Sequence, residues 1–229
     1  MLVHSKGKLK EVCENFKIPR FTKSDVDFNN EYVQVFTPLA QAITLLHREN
    51  SMFMAYLLPT VASLRKKMFA LLTENLRYCR PVVESLIAAI NKNFGGMEEE
   101  KHLTIFAVCH PKFKVAWTDN EVERKRAWDY LKNELMRTST IEKASQGEQS
   151  GEDEEDCDPL FNFETSSSSS LWDQEFLQYT ELAPTRSLDC LKHMPLLKSV
   201  FLKFNTGLPS SAAVERVFSI GGTITTKLR

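Results

Sequence analysis

The chain has 229 residues, 42% of them hydrophobic, and a formal net charge of −1. That supplies apolar material for one large domain or two small ones. No window approaches the ~18 apolar residues of a membrane span, and the opening residues lack an apolar core of signal-peptide length. An intracellular soluble protein with no membrane partner is expected.

The near-zero charge hides an asymmetry. Between Ala144 and Thr185 there are eleven Asp or Glu and no Lys or Arg, which leaves 29 basic against 19 acidic residues elsewhere. Five cysteines, Cys13, Cys79, Cys109, Cys157 and Cys190, show no CxxC and no regular spacing. An odd, scattered set suits a reducing compartment.

Residues 1–27 are basic early and broken by Pro19, so an irregular or short helical lead-in is expected. From Phe28 the helical period is clear, with Tyr32, Phe36, Leu39, Ile43 and Leu46 on one stripe. Pro38 should kink or divide that run. A second run takes Leu57, Val61, Leu64, Met68, Leu71 and Leu72, with Arg65, Lys66 and Lys67 along one turn. Pro81 suits the start of a third helix with stripe Val82, Leu86 and Ile90, stopped by Gly95 and Gly96.

Leu103 to Cys109 reads as a fourth helix that ends at His110 and Pro111. Thr118-Asp-Asn-Glu121 has the spacing of a capping box for a long helix that carries Val122, Trp128, Leu131 and Leu135 to about residue 144. Nothing in this portion alternates with period two for long. The fold class expected is therefore mostly α, a helical array.

Residues 145–170, with Glu152 to Asp156 and Ser166 to Ser170, read as a disordered acidic, serine-rich linker. Order should return with Trp172, Phe176 and Tyr179 on one helical face. Pro195 then opens a helix with Leu196, Val200 and Phe204 inward. The chain closes with Leu208-Pro-Ser-Ser-Ala-Ala-Val-Glu-Arg-Val-Phe-Ser219 and a further ten residues. Pro209, Ser210 and Ser211 make a helix start, and Val214, Val217 and Phe218 fall at i, i+3, i+4 as an apolar stripe. Four divisions follow: a lead-in at 1–27, a helical unit at 28–144, a linker at 145–170 and a C-terminal segment at 171–229.

That closing string resembles the C-terminal dimerisation signature of hAT-family transposases. Weaker likenesses run back through Glu31 to Leu46, Tyr56 to Val61 and His110 to Trp117, which look like blocks of the helical insertion in the same family. The resemblance implies a fragment of a ribonuclease-H-like transposase, comprising its insertion domain and a truncated hAT segment. It implies nuclear location, or cytoplasmic by composition, and a partner that is this chain itself or another hAT-derived chain.

In the family the signature's glutamate is the third acid of an Asp-Asp-Glu set, and Glu215 stands at that place. Metal-dependent phosphodiester chemistry needs several oxygen ligands that converge on ions about 3.5–4 Å apart, which one carboxylate cannot supply. The family's two aspartates sit on or just after strands upstream of the insertion, and this chain is expected to begin inside the insertion. Asp25 and Asp27 follow no buried strand, and Asp119 sits in a cap. The expectation is a chain with no enzymatic activity, no metal and no cofactor, in which Glu215 is a relic. The pair Cys109 and His110, with His102 eight residues away, lacks zinc-ligand spacing and reads as core thiol and surface histidine.

Two functions compete. One is protein dimerisation through the C-terminal segment, with Leu196, Val200, Val214, Val217 and Phe218 as dimerisation or core residues. The other is weak, sequence-independent DNA binding by a basic helical surface, with Arg65, Lys66, Lys67, Arg124, Lys125 and Arg126 as candidate contacts. Being a piece of an active transposase is the further alternative.

Overall fold

The computed structural model describes residues 13–17, 19, 21–46, 53–146 and 170–206. The signature from Leu208, with Val214, Glu215, Val217 and Phe218, lies outside the described residues, as do Cys157 and most of the acidic, serine-rich stretch. Seven α-helices lie wholly within the described residues, and no strand occurs among them: α1 (Lys23–Leu46), α2 (Leu57–Leu72), α3 (Arg80–Phe94), α4 (Lys101–Val108), α5 (Glu121–Gln146), α6 (Leu171–Glu181) and α7 (Pro195–Asn205). Short 3₁₀ turns at Met54–Tyr56 and Asp189–His193 precede α2 and α7. The mostly helical expectation holds.

α1 starts five residues before the expected Phe28, because Thr22 and Asp25 cap it reciprocally. The Asp25 N–H donates to Thr22 Oγ1 at 3.2 Å, and the Thr22 N–H donates back to Asp25 Oδ2 at 2.8 Å. Pro38 does not divide the helix, which runs unbroken from Lys23 to Leu46. Val35 and Leu39 on either side of it are buried in the core, so packing spans the proline. The Thr37 hydroxyl donates to the Val33 carbonyl at 2.5 Å, beside the gap that the missing proline N–H leaves.

The start of α5 is also displaced from the expected box. Asn120 is the cap: its Oδ1 accepts the Val122 N–H at 3.0 Å and its amide nitrogen donates to Glu123 at 3.3 Å. Thr118 instead binds Glu123 through its hydroxyl. Val122, expected on the apolar stripe, is 66% exposed, and Ala127, Leu131 and Leu135 form the buried face. On α3 the inward face is Val83, Leu86, Ile87 and Ile90, one position round from the expected Val82.

Two apolar clusters result. The first joins α1, α2 and α3 through Val35, Leu39, Val61, Leu64, Met68, Val83 and Leu86. The second joins α4, α5, α6 and α7 through Ile105, Val108, Leu131, Leu135, Tyr179, Leu196, Leu197 and Val200. The cores therefore divide between α3 and α4. Residues on both sides of the acidic stretch share the second one.

A buried amide is one of the ties between them. Asn205, 4% exposed at the end of α7, accepts the Ala55 N–H on Oδ1 at 2.8 Å, and its Nδ2 donates to the Phe106 carbonyl at 3.4 Å and Cys109 Sγ at 3.1 Å. The 3₁₀ turn that leads into α2 is thus tied to α4 and α7. Asn205→Ala leaves the Ala55 N–H buried without its acceptor. The expected loss is about 1–3 kcal/mol of unfolding free energy in urea titrations.

Candidate functional site

The residues that sequence singled out for chemistry are spread over the fold and are largely committed to structure. Asp25 caps α1. Asp119 is not a cap residue: it pairs with Lys66 at 2.5 Å on an exposed surface, and that hydrogen bond and charge hold its carboxyl below the usual value. Asp27 is half-buried on α1. Among the described residues no group of three or more His, Cys, Asp or Glu side chains is placed to hold a metal ion.

Of the candidate DNA contacts, Arg65 and Lys66 come together with Trp117, Thr118, Asp119 and Glu123 around a cleft of about 340 Å³ between α2 and the start of α5. Their charges are engaged there. Arg65 pairs with Glu98 and donates to the Phe94 carbonyl at 3.2 Å, leaving its Nε buried without a partner. Arg124 donates to the Thr118 carbonyl at 3.0 Å and faces Glu121 at 3.8 Å. Lys67 is turned toward α1, where it donates to Gln41 at 3.3 Å. Lys125 is exposed and Arg126 half-buried on α5. The six do not form one free basic face.

Of the candidate dimerisation residues that are described, Leu196 and Val200 are 1% and 0% exposed, within the second cluster. Their surface is used inside this chain.

Sequence reasoning passed over three charged groups that hold elements together. Glu31 on α1 accepts backbone N–H bonds from Arg77 (2.9 Å), Tyr78 (2.7 Å) and Cys79 (3.0 Å) at the start of α3. Partial desolvation pushes its carboxyl up, but the three donors outweigh it and hold it below the ordinary value. Glu175 does the same for α7, accepting Leu196 N–H at 3.2 Å and Leu197 N–H at 2.9 Å. Here burial wins over the two bonds, and the carboxyl is raised.

Lys114 is buried in a left-handed conformation, φ 47°, with its ammonium on the Tyr179 and Leu182 carbonyls at the end of α6. A cation there complements the helix dipole, although desolvation lowers its pKa. The Tyr179 hydroxyl meanwhile donates to the Val108 carbonyl at 2.9 Å, tying α6 to α4.

His110 corrects the expectation of a surface histidine. It is 2% exposed, with the rings of Phe53, Tyr56, Phe113 and Phe201 at centroid distances of 5.6, 5.4, 5.2 and 5.7 Å. Nδ1 accepts the Lys112 N–H at 3.1 Å, so the imidazole is held neutral as an acceptor. Cys13, Cys79 and Cys109 are buried free thiols as expected, and Cys190 is half-buried.

The geometry defines an all-helical body, over the described residues, whose polar interior serves helix ends and junctions. Compared with known proteins, the chain matches no family model, no curated protein and no solved structure.

Burial, with some help from the Lys112 charge, lowers the His110 pKa from 6.5 to about 4. Below pH 6.5 the unfolded chain takes up a proton that the native imidazole refuses, so stability falls with pH until about 4 and is flat beyond. The expected slope from this group is up to about 1.4 kcal/mol per pH unit. Urea titrations from pH 7 to 4 should show it, and His110→Phe should remove that part of the slope.

Proposed function

We propose that this chain is a transposase-derived helical module that acts by binding a second protein chain, its own copy or another hAT-derived chain, and not by cutting DNA. The observation that carries the reading is the string Leu208 to Ser219, which resembles the hAT dimerisation signature in residue type and order over twelve positions. The helical body adds support, since α7 leads directly into that string and spends its own apolar face on the second core. The stripe Val214, Val217 and Phe218 is then the association surface. Glu215, next to Val214 in sequence, is a relic of catalysis. Asp25 and Asp119 already serve a helix cap and an ion pair, which favours a structural use of the acids in this stretch of chain. The resemblance makes the nucleus the expected compartment.

Light scattering on the purified chain at micromolar concentration should give twice the mass of one chain. Val217→Asp together with Phe218→Asp should return it to the mass of one. A clean monomer for the unsubstituted protein contradicts the proposal. So does metal-dependent plasmid nicking that Glu215→Gln abolishes.

A further inference from the structure

The cleft between α2 and the start of α5 sets aromatic rings beside an unpaired charge. Phe69 on α2, 47% exposed, and the half-buried Trp117 both line it. Its volume of about 340 Å³ falls in the range of ligand clefts, ~300–1,000 Å³. Cations of this chain stand over the rings of Tyr56, Tyr78, Tyr130, Trp172, Tyr179 and Phe204. Among the described residues none stands over Phe69 or Trp117, although Arg65 and Lys66 line the same cleft.

The charges there do not cancel. Arg65 pairs with Glu98, and Lys66 with Asp119, which leaves Glu123 as the remaining lining carboxylate. Its oxygens accept from the Thr118 hydroxyl and the Asn120 amide, both neutral groups. No Lys, Arg or His among the described residues forms an ion pair with it. The unpartnered Arg65 Nε is enclosed in protein, so it offers the cleft no open donor. What faces an incoming group is one negative charge and two rings.

That chemistry favours an organic cation. A ring face attracts an ammonium or guanidinium group within about 6 Å through its quadrupole, and a carboxylate adds a charge-assisted hydrogen bond. An anion would meet the open charge of Glu123 instead. We propose that this cleft takes a lysine or arginine side chain presented by a partner protein. The methylene stem lies against Phe69 and Trp117, and the charged head reaches Glu123. The cleft opens broadly to solvent, since Lys66 and Asp119 at its rim are 75% and 77% exposed. A side chain reaching in from outside suits such a mouth better than a small ligand, which pockets ordinarily enclose over most of its surface. The proposal uses none of Val214, Val217 and Phe218 and does not rest on dimerisation.

The test follows the Trp117 indole N–H in ¹H–¹⁵N spectra of the full chain, with Trp117→Phe to assign the signal. The titrants are acetyl-Gly-Lys-Gly-amide, the same peptide with norleucine for lysine, n-butylammonium chloride and sodium acetate, all at one ionic strength. A saturable shift with the lysine peptide is expected, and none with the norleucine peptide or acetate. Glu123→Gln and Phe69→Ala, at a half-buried and an exposed position, should each raise the apparent Kd several-fold. Lys66→Gln releases Asp119 from its pair and should lower Kd several-fold. Weaker binding in Lys66→Gln, or a saturable shift with acetate, would mark an anion site and overturn the proposal. Equal shifts with the lysine and norleucine peptides overturn it too. Binding of butylammonium without the lysine peptide would show a small-cation site and overturn the protein partner.

Discussion

A buried side-chain amide helps to tie the two halves of this helical body together. Asn205 uses its carbonyl oxygen on the Ala55 N–H and its nitrogen on the Phe106 carbonyl and the Cys109 thiol, so three separate segments converge on one side chain. In a water-excluded site each of these groups would be costly without its partner, and an amide satisfies donor and acceptor together as no apolar side chain could. Phe53 packs edge-on to Phe201 at 5.4 Å beside it, so apolar burial and hydrogen bonding fix the same junction.

The helix starts show a second common solution. α3 and α7 each begin with a proline in the first turn and have no side-chain cap of their own. Both borrow a carboxylate from another helix: Glu31 of α1 serves α3, and Glu175 of α6 serves α7. An anion at the positive end of a helix both satisfies orphan N–H groups and opposes the dipole. The two carboxyls shift in opposite directions for a physical reason. Glu31 takes three donors near the surface, whereas Glu175 has two, deep in the core, with the Glu142 charge adding to its discomfort.

Periodicity made most of the helices legible, because their buried faces recur at three and four: Val61, Leu64, Met68 and Leu71 on α2, and Leu196, Val200 and Phe204 on α7. Boundaries were less legible where two caps compete. Thr22 with Asp25, and Asn120 with Glu123, won over the alternatives because their geometry lets both side chains bond the backbone or each other. Two interior polar residues had left a trace: Glu175 sits four before Tyr179 on an apolar face, and Asn205 four after Phe201. A polar group in an apolar stripe announces a buried partner. Lys114 and His110 had none, since their burial depends on helices far away in sequence. The engagement of Arg65 and Lys66 with acids was equally invisible, as Glu98 and Asp119 come to α2 only through tertiary folding.

The interior polar groups are spent on joining helix ends and junctions, so the two cores should behave as one unit. Trp117, Trp128 and Trp172 all pack against the second core, so tryptophan fluorescence reports that core alone, whereas far-UV circular dichroism reports all seven helices. The most direct measurement is therefore a urea titration of the full chain followed by both signals. The account predicts coincident transitions with one midpoint and one slope. A dichroism transition that begins at lower urea, with fluorescence still native, would show α1 to α3 unfolding by themselves and would contradict it.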